Sequence, residues 1–458
     1  MFQAALPIIA GRSENRMQSL QPVRGTQDLL PEAARRHRRV AETARELAER
    51  YGFAEIATPI FEFTEVFTRP IGETTDIVAK EMYTFTDRGG EEITLRPENT
   101  AGVVRAVLSN ALVQSVPLKF FYQGPMFRYE RPQKGRFRQF HQIGVELIGV
   151  AQPQADIEVI TLGLRILNEL GIGKRVMREL DALGNPADPC IRGGVPKVAL
   201  ELNTLGDPQS RAAYRDALVG YFSSRASELS EDSRRRLGAN PLRILDSKDP
   251  GDQRIVRGAP EFSDYLNKDS HLFFAQVRDG LDRLGIEYRL NPRLVRGLDY
   301  YTHTVFEFVT TDLGAQGTIL AGGRYDGLVE TMGGPAMPGV GWAAGVERLA
   351  MLISEPDSPQ PPVAVVPIGA TAEGRALVLA ERLRDAGLAV DLAYSGNLTR
   401  RLRRANRIGA FAAILLGDDE LAHGAATLRD LGNGQQSEVL LTELPTRLKA
   451  LAGTRIEF

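Results

Sequence analysis

A chain of 458 residues exceeds the size of a typical single core and predicts roughly three domains. Its composition, 43% hydrophobic and 25% charged, is that of ordinary globular proteins. The formal net charge of −2 excludes a globally basic nucleic-acid binder but leaves room for a local basic surface. The single cysteine, Cys190, excludes an intrachain disulfide framework and a Cys-rich zinc site, which fits a reducing cytoplasm.

Residues 1–19 predict a flexible N-terminal extension. Their short apolar run lacks a basic leader and a cleavage pattern, so we expect no signal peptide. Translation from Met17 is a hypothesis, which N-terminal sequencing would disprove if the native protein began at Met1. No stretch approaches the roughly 20 apolar residues of a membrane span. The five histidines show no HxxxH-type spacing, so we expect no protein-built transition-metal site.

Residues 20–170 predict the first part of a core that mixes helices and strands. Apolar spacing predicts a helix over 32–51, with Asp28 as its cap and Pro31 in its first turn. Pro59 lies in the next stretch, and proline cannot donate to a strand ladder. We therefore expect an edge-like or irregular strand there.

A strand-to-helix junction follows, between a short strand at 93–97 and a helix at 101–112. Glu98 and Thr100 lie at this junction. Thr100 is either a helix cap or a ligand-binding residue, and the local pattern leaves both readings open.

Residues 120–147 predict two β-strands joined by a basic turn. Strand side chains alternate between two faces, so Arg128 and Glu130 share one face of the first strand. One face of the second strand carries Arg136, Arg138, Phe140, Gln142 and Glu146. Pairing as a hairpin would gather these side chains on one face and turn apolar residues into a core. The alternative is an ordinary exposed hairpin with a solvated, charged tip.

A mostly helical insertion is predicted for 171–290, after a helix at 156–170, because this range lacks the aromatic and charged groupings found on either side. The core resumes over 291–353 with a strand at 304–311. Residues 321–327 resemble a glycine-rich loop, although they lack both the strand–GxGxxG–helix context and the lysine of a P-loop.

The end of the core, residues 339–349, predicts a small-residue strand that runs into a helix. Arg348 near the helix start opposes the macrodipole, which suggests an anionic ligand there, while a solvated arginine is the alternative. A proline-rich linker at 354–362 follows. Residues 363–458 then alternate strands and helices, as in a compact α/β module.

One helix of this module carries an arginine run. Its five arginines within eight residues are Arg400, Arg401, Arg403, Arg404 and Arg407. A charge run is usually a solvated face. Five cations without acidic partners nevertheless favour contact with a phosphate backbone.

Five sequence blocks in order resemble the histidyl-tRNA synthetases, a class II family. The stretch GPMFRYERPQKGRFRQFHQ resembles the second class motif of this family, and GVERL resembles the third. The segment around Pro59 resembles the first class motif. The blocks LVRGLDYY and AGGRYDGL resemble two signatures of the histidine-specific members. This resemblance implies an α+β catalytic core with an antiparallel sheet, a helical insertion domain, a C-terminal α/β anticodon-binding domain and a homodimer. Asn99 departs from the family, which usually has glycine there.

The resemblance also implies an activity, namely ATP-dependent activation of L-histidine and its transfer to the 3′ end of tRNA(His), in the cytoplasm and with Mg²⁺ bound to the ATP. The implied catalytic residues are Arg128 and Arg296. The implied ATP ligands are Arg128, Glu130, Arg136, Phe140 and Arg348. The implied histidine ligands are Glu98, Thr100, Gln142, Glu146, Tyr301 and Tyr325. The implied tRNA contacts are Arg131, Gln133, Arg138, Arg400, Arg401 and Arg404.

Two functions of other classes compete with this interpretation. A synthetase-like regulatory subunit of ATP phosphoribosyltransferase would share the core but typically lacks the C-terminal module and loses catalytic residues. Here the module, Arg128, Arg296 and Arg348 are present. A nucleic-acid binder without catalysis would explain the arginine run but not the Glu, Gln and Tyr set.

Overall fold

The computed structural model describes residues 20–72, 75–173, 198–314, 317–356 and 358–453. The chain divides into two compact units, Met1–Pro356 and Asp357–Phe458, and the predicted linker spans this division. Among the described helices, none is both long enough and apolar enough to cross a bilayer. The predictions for the N-terminal extension and for Cys190 lie outside the described residues.

The first unit contains one large sheet, one small sheet and the helices around them. Its strands are β1 (Ala54–Glu55), β2 (Phe61–Phe63), β3 (Tyr83–Thr86), β4 (Glu92–Leu95), β5 (Leu118–Phe127), β6 (Gln139–Ile148), β7 (Val198–Thr204), β8 (Arg289–Leu290), β9 (Thr302–Thr310), β10 (Thr318–Arg324) and β11 (Gly339–Gly345). Its α-helices are α1 (Pro31–Arg50), α2 (Glu65–Ile71), α3 (Thr100–Ser109), α4 (Pro153–Glu169), α5 (Pro208–Ser223), α6 (Glu231–Ala239), α7 (Pro250–Val256), α8 (Lys268–Arg283), α9 (Leu328–Thr331) and α10 (Val346–Leu352).

The large sheet has the strand order β1-β5-β6-β11-β10-β9-β7-β8. The β1/β5 and β7/β8 pairs run parallel, and the pairs between them run antiparallel. A separate three-stranded sheet has the order β2-β4-β3. This architecture confirms the predicted α+β core with a mainly antiparallel sheet.

Strands β5 and β6 form the predicted hairpin. Tyr122 lies opposite Gly144 and Met126 opposite Phe140, so the even-numbered residues of both strands share one face, as the alternation predicts. The other face of β6 carries the fully buried residues Ile143, Val145 and Leu147. These belong to one core cluster with residues of α1, α4, α8 and α10. The even face contributes Tyr122 and Met126 to a second core cluster, so only the rest of that face can line a site.

The predicted insertion range also contributes to the large sheet. Both β7 and β8 lie within 171–290, and α8 packs on the main core through Val277 and Leu281. Between them, α5 to α7 surround a smaller core that includes Tyr214 and Phe222. The insertion boundaries stay a prediction. The helices α5 to α7 form the part of this range that packs apart from the large sheet.

Two local predictions are wrong. Most of the supposed glycine-rich loop is strand β10, where small residues permit close strand packing, since a Cβ on Gly322 would lie 2.1 Å from the carbonyl oxygen of Gly341. Helix α1 begins after Leu30 without a side-chain cap, so Asp28 does not cap it.

The second unit has its own five-stranded sheet, in the order β13-β12-β14-β15-β16. Its strands are β12 (Val363–Pro367), β13 (Val390–Leu392), β14 (Ala412–Leu416), β15 (Ala425–Asp430) and β16 (Gln436–Leu440). Its helices are α11 (Ala370–Asp385), α12 (Leu398–Arg407), α13 (Asp418–Ala422) and α14 (Leu444–Gly453). The predicted β-α-β-α-β order is confirmed from β12 to β14, whose strands pair in parallel.

Candidate active site

A cavity of about 570 Å³ lies beside the even face of the hairpin. Every residue implied as an ATP or histidine ligand lines it except Glu146. The lining set comprises Glu98, Thr100, Arg128, Glu130, Arg136, Phe140, Gln142, Arg296, Tyr301, Tyr325 and Arg348. The structure thus brings together side chains from positions 98 to 348 of the chain.

Glu98 caps the helix that begins at the edge of the cavity. Its carboxylate accepts the backbone N–H groups of Thr100 at 2.7 Å and Ala101 at 2.9 Å. Burial raises the pKa of Glu98, and these two hydrogen bonds oppose that shift. Because Glu98 supplies the cap, the Thr100 hydroxyl is free for another partner. Of the two readings left open for Thr100, the structure therefore does not support the helix cap.

Asn99, the departure from the family pattern, fits this junction without strain. It has a φ of −120° and is buried. Its side-chain oxygen accepts the Thr58 hydroxyl at 2.6 Å. Glu98 and Thr100 on either side of it keep their positions at the cavity.

Glu146 lies directly behind the cavity wall and is almost fully buried. It accepts hydrogen bonds from the Thr100 hydroxyl at 2.7 Å and from the Tyr325 hydroxyl at 2.5 Å. Burial raises the pKa of Glu146 to about 8, although those two hydrogen bonds oppose the shift. The opposite residue in β11 is Gly341, where a Cβ would lie 2.0 Å from a Glu146 carboxylate oxygen. Only glycine leaves room for this carboxylate.

A buried polar atom of the pocket lacks a hydrogen-bond partner among the described residues. The side-chain oxygen of Gln142, which lines the cavity, is buried and makes no hydrogen bond among the described residues. A buried acceptor without a donor is costly. A ligand with N–H groups would satisfy it.

The raised pKa of Glu146 makes the stability of the chain depend on pH. Its folded pKa of about 8 lies above the ordinary 4.5, so its contribution to the free energy of unfolding is complete below pH 4.5 and is lost as the pH rises towards 8. We expect wild type to lose stability relative to Glu146→Gln over this interval, by at most about 1.4 kcal/mol per pH unit. Urea unfolding of both proteins measures the difference. A difference that is constant with pH would contradict a neutral, buried Glu146.

Four of the arginines that line the cavity are those that the resemblance implies. They are Arg128, Arg136, Arg296 and Arg348. Burial, followed by the nearby Arg136, lowers the pKa of Arg348. Arg128 also disfavours the charge of Arg348, so an anion bound among these cations would stabilise them.

Two carboxylates hold these arginines in place. Glu130 pairs with Arg136 at 2.6 Å and lies 3.9 Å from Arg128. Glu307 pairs with Arg296 and accepts the Thr318 hydroxyl at 2.8 Å. Burial opposes the charge of Arg296, but Glu307 together with Tyr301 and Tyr300 outweighs that effect and raises the pKa of Arg296.

Arg128 is oriented by a carbonyl group and an aromatic ring. Its Nε donates to the carbonyl oxygen of Pro97 at 2.8 Å. Its guanidinium lies 5.3 Å from the centre of the Phe140 ring, within the range of a cation–π contact. A planar guanidinium held in this way presents its remaining N–H groups in a defined direction.

Glu347 joins the hairpin to helix α10. Its two carboxylate oxygens accept the backbone N–H of His141 at 2.9 and 3.0 Å, and one oxygen lies 3.0 Å from Nδ1 of the same histidine. With His37 these residues form a group whose possible metal-ligating atoms lie within 4.8 Å of one another. Sequence reasoning missed Glu347 and this grouping. The GVERL block, in which Glu347 precedes Arg348, was the available signal.

Comparisons with known proteins agree with this geometry. A family model described as histidyl-tRNA synthetase matches residues 25–180 and 253–349, and one described as anticodon binding domain matches 362–451. A histidine–tRNA ligase of Rhodospirillum rubrum is 58% identical over 429 residues, which cover 93% of this chain and 98% of the relative. The chain belongs to the histidyl-tRNA synthetase family.

Further members of the histidyl-tRNA synthetase family support the same assignment. A histidine–tRNA ligase of Gluconacetobacter diazotrophicus is 55% identical over 437 residues, covering 95% of this chain and all of the relative. The crystal structure of the apo histidyl-tRNA synthetase of S. aureus has a TM-score of 0.75 at 34% identity and covers 94% of this chain and 100% of that one. The regulatory-subunit alternative is not favoured, because the relatives carry ligase names over nearly their whole length.

The hairpin turn holds the first group of family-implied tRNA contacts. Arg131 and Gln133 are exposed there. Arg138 is instead held against the protein, with its guanidinium 3.8 Å from the Tyr129 ring centre and its Nε 3.3 Å from the carbonyl oxygen of Glu130. The turn thus exposes Arg131 and Gln133, while Arg138 at its end is held against the protein.

The arginine run on α12 is only partly available to a partner. Arg401 is buried, donates to the carbonyl oxygen of Pro367 and pairs with Glu373 at 3.4 Å. Arg404 is exposed and pairs with Asp391 at 2.8 Å. The premise that the run lacks acidic partners is therefore wrong, and the expectation of Arg401 as a tRNA contact is corrected by its burial. Arg400 is exposed.

Proposed function

We propose that this chain is a histidine–tRNA ligase, which joins L-histidine to ATP as histidyl-adenylate and then transfers the histidyl group to tRNA(His). The observation that carries the proposal is a single cavity, in a chain of this family, that has buried carboxylates on one side and is also lined by several arginines. The first feature suits a small polar amino acid, and the second suits a triphosphate.

Activation needs positioning and charge neutralisation more than acid–base chemistry. A carboxylate oxygen of histidine attacks the α-phosphorus of ATP, and the bond from that phosphorus to the pyrophosphate oxygen breaks. The nucleophile is already ionised, so the protein must hold it in line and stabilise the charge that grows on phosphorus. We assign these tasks to Arg128 and Arg296, with Arg136 and Arg348 on the pyrophosphate part. Magnesium enters with ATP as part of the substrate.

Histidine recognition is assigned to the buried pocket. Glu98 and Gln142 would accept from the α-amino group, and the unpartnered oxygen of Gln142 suits that role. Glu146 and Tyr301 would contact the two imidazole nitrogens, while Thr100 and Tyr325 orient Glu146. A substrate without either nitrogen would leave a buried polar group unpaired, which is a strong basis for discrimination.

Adenine is assigned to the middle of the cavity. Glu130 would accept from the exocyclic amino group of the base, and Phe140 would stack on its ring. In the described structure Glu130 pairs with Arg136, so nucleotide binding would exchange part of this pair for contacts with base and phosphate.

Transfer and partner binding involve other surfaces. The ribose hydroxyl at the 3′ end of the tRNA attacks the adenylate carbonyl carbon, and AMP leaves. Arg131 and Gln133 on the hairpin turn would contact the acceptor end, and Arg400 and Arg404 the anticodon region. We place this activity in the cytoplasm, where ATP and tRNA meet.

We also propose a homodimer formed through the small sheet. Phe61, Phe63 and Phe85 lie on one face of that sheet and are 57%, 51% and 48% exposed. An exposed apolar group of this kind marks an interface, and the first class motif includes this segment. Light scattering should give twice the chain mass, and a monomeric mass at assay concentrations would contradict the proposal.

Charging of purified tRNA tests the complete reaction. Labelled histidine should become acid-precipitable with tRNA(His) and ATP, and should not with a tRNA of another specificity. Charging that is equal for both tRNAs would contradict the assignment.

A further inference from the structure

The inserted helical stretch places an arginine in the wall of the cavity. Arg243, in the turn Pro241–Ile244 after α6, lines the same cavity as Arg128, Arg296 and Arg348. It lies beside the loop that carries Arg296, since a Cβ on Gly297 would be 3.2 Å from Nη1 of Arg243. A side chain of the insertion therefore reaches the region assigned to phosphate.

The insertion also holds that loop from its other side. Asn240 donates to the Asp299 carboxylate at 2.5 Å. Arg211 donates to the carbonyl oxygens of Asp299 and Tyr301, each at 2.8 Å. These bonds tie the segment that follows Arg296 to the insertion that carries Arg243.

Arg243 lies near two carboxylates, Asp76 and Asp299, but its pairing is incomplete. It shares Asp76 with Arg236, and Arg236 is closer, at 3.2 Å against 3.8 Å for Arg243. Only Arg236 is within hydrogen-bonding geometry of that carboxylate. The Nε of Arg243 is buried and has no hydrogen-bond partner among the described residues. A desolvated N–H of a cation without an acceptor is costly, and a phosphate oxygen is the strongest acceptor that the cavity is proposed to receive.

We propose that Arg243 is an additional ATP ligand that binds the β- and γ-phosphates, so that the insertion completes the nucleotide site. The inference rests on the proposed function and adds a residue from outside the class motifs. Arg128 and Arg296 serve the α-phosphate in this arrangement. Arg243 stabilises the pyrophosphate part, and its shared carboxylate Asp76 keeps the guanidinium in place before ATP arrives.

The test compares three variants by calorimetric binding of Mg–ATP and of AMP. Arg243→Gln should weaken Mg–ATP binding about tenfold or more, the loss expected for one charge-assisted hydrogen bond, and leave AMP binding unchanged. Arg243→Lys should recover part of the affinity. Arg236→Gln is the matched control, because it removes the closer partner of Asp76 from the same segment and should leave the ratio of ATP to AMP affinity unchanged.

Two results would overturn the inference. Equal losses of ATP and AMP affinity in Arg243→Gln, or a loss in Arg236→Gln as large as in Arg243→Gln, would mean that Arg243 only docks the insertion on Asp76. Failure of the proposed function is a different result, since wild type would then show no histidine-dependent exchange of pyrophosphate into ATP. The ATP-to-AMP comparison still decides the role of Arg243 in that case. Circular dichroism melting confirms that each variant is folded.

Discussion

Replacing Arg296 with alanine should lower kcat for histidine activation by roughly 100-fold or more and change KM for histidine by less than about threefold. The reason is the location of the side chain, which lines the cavity while its partner Glu307 holds it from behind. Charge on the α-phosphate grows only as the new bond forms, so a group that meets this charge acts on the transition state more than on bound histidine. Pyrophosphate exchange at varied histidine concentrations separates the two constants.

Two further variants make the Arg296 result specific. Arg296→Lys retains the charge but loses the planar fork, so we expect an intermediate kcat. Arg289→Ala removes an exposed arginine of β8 and should have wild-type kinetics. Equal losses of kcat and of histidine affinity in Arg296→Ala would show a binding role instead.

Replacing Gly341 with alanine should weaken histidine binding by at least about tenfold and leave Mg–ATP binding close to wild type. The added Cβ would lie 2.0 Å from the Glu146 carboxylate and 2.3 Å from the Val145 carbonyl oxygen, so the carboxylate must move. Overpacking of this kind costs about 1–3 kcal/mol and displaces the groups that it touches. Calorimetry with each substrate measures both affinities.

Gly220→Ala is the matched control, because a Cβ at that position in α5 meets nothing within 4 Å. If Gly341→Ala proves too unstable to assay, Glu146→Gln tests the same carboxylate without added bulk, and it too should weaken histidine binding selectively. Undiminished histidine affinity in Glu146→Gln would contradict the assignment of the imidazole contact.

Much of the site was predictable because it lies on one hairpin. Side-chain alternation depends only on local backbone geometry, so the sequence placed Arg128 with Glu130, and Phe140 with Gln142 and Glu146, on a shared face. The register of β5 and β6 confirms the shared face for Phe140, Gln142 and Glu146, whereas Arg128 and Glu130 lie beyond the end of β5. The burial of Glu146 was not predictable in the same way, since this residue is covered by the β11 backbone at Gly341, 195 positions further along the chain.

Long-range pairs account for the predictions that failed. Arg401 looked unpaired because Glu373 and the Pro367 carbonyl lie on α11 and β12, some 30 positions earlier. The glycines of β10 suggested a loop, since glycine is common in loops, but here close strand packing requires it. The insertion range looked wholly separate because its two sheet strands, β7 and β8, flank a long helical stretch. These failures concern tertiary contact, whereas the wrong cap at Asp28 is a local one.

Exchange of labelled pyrophosphate into ATP, measured with the full-length protein and each of the 20 amino acids in turn, is the sharpest test of the proposed activity. We expect rapid exchange with L-histidine, dependence on Mg²⁺, and no exchange above background with the other amino acids. Folded protein that gives no exchange with histidine, or exchange of similar rate with another amino acid, would contradict it.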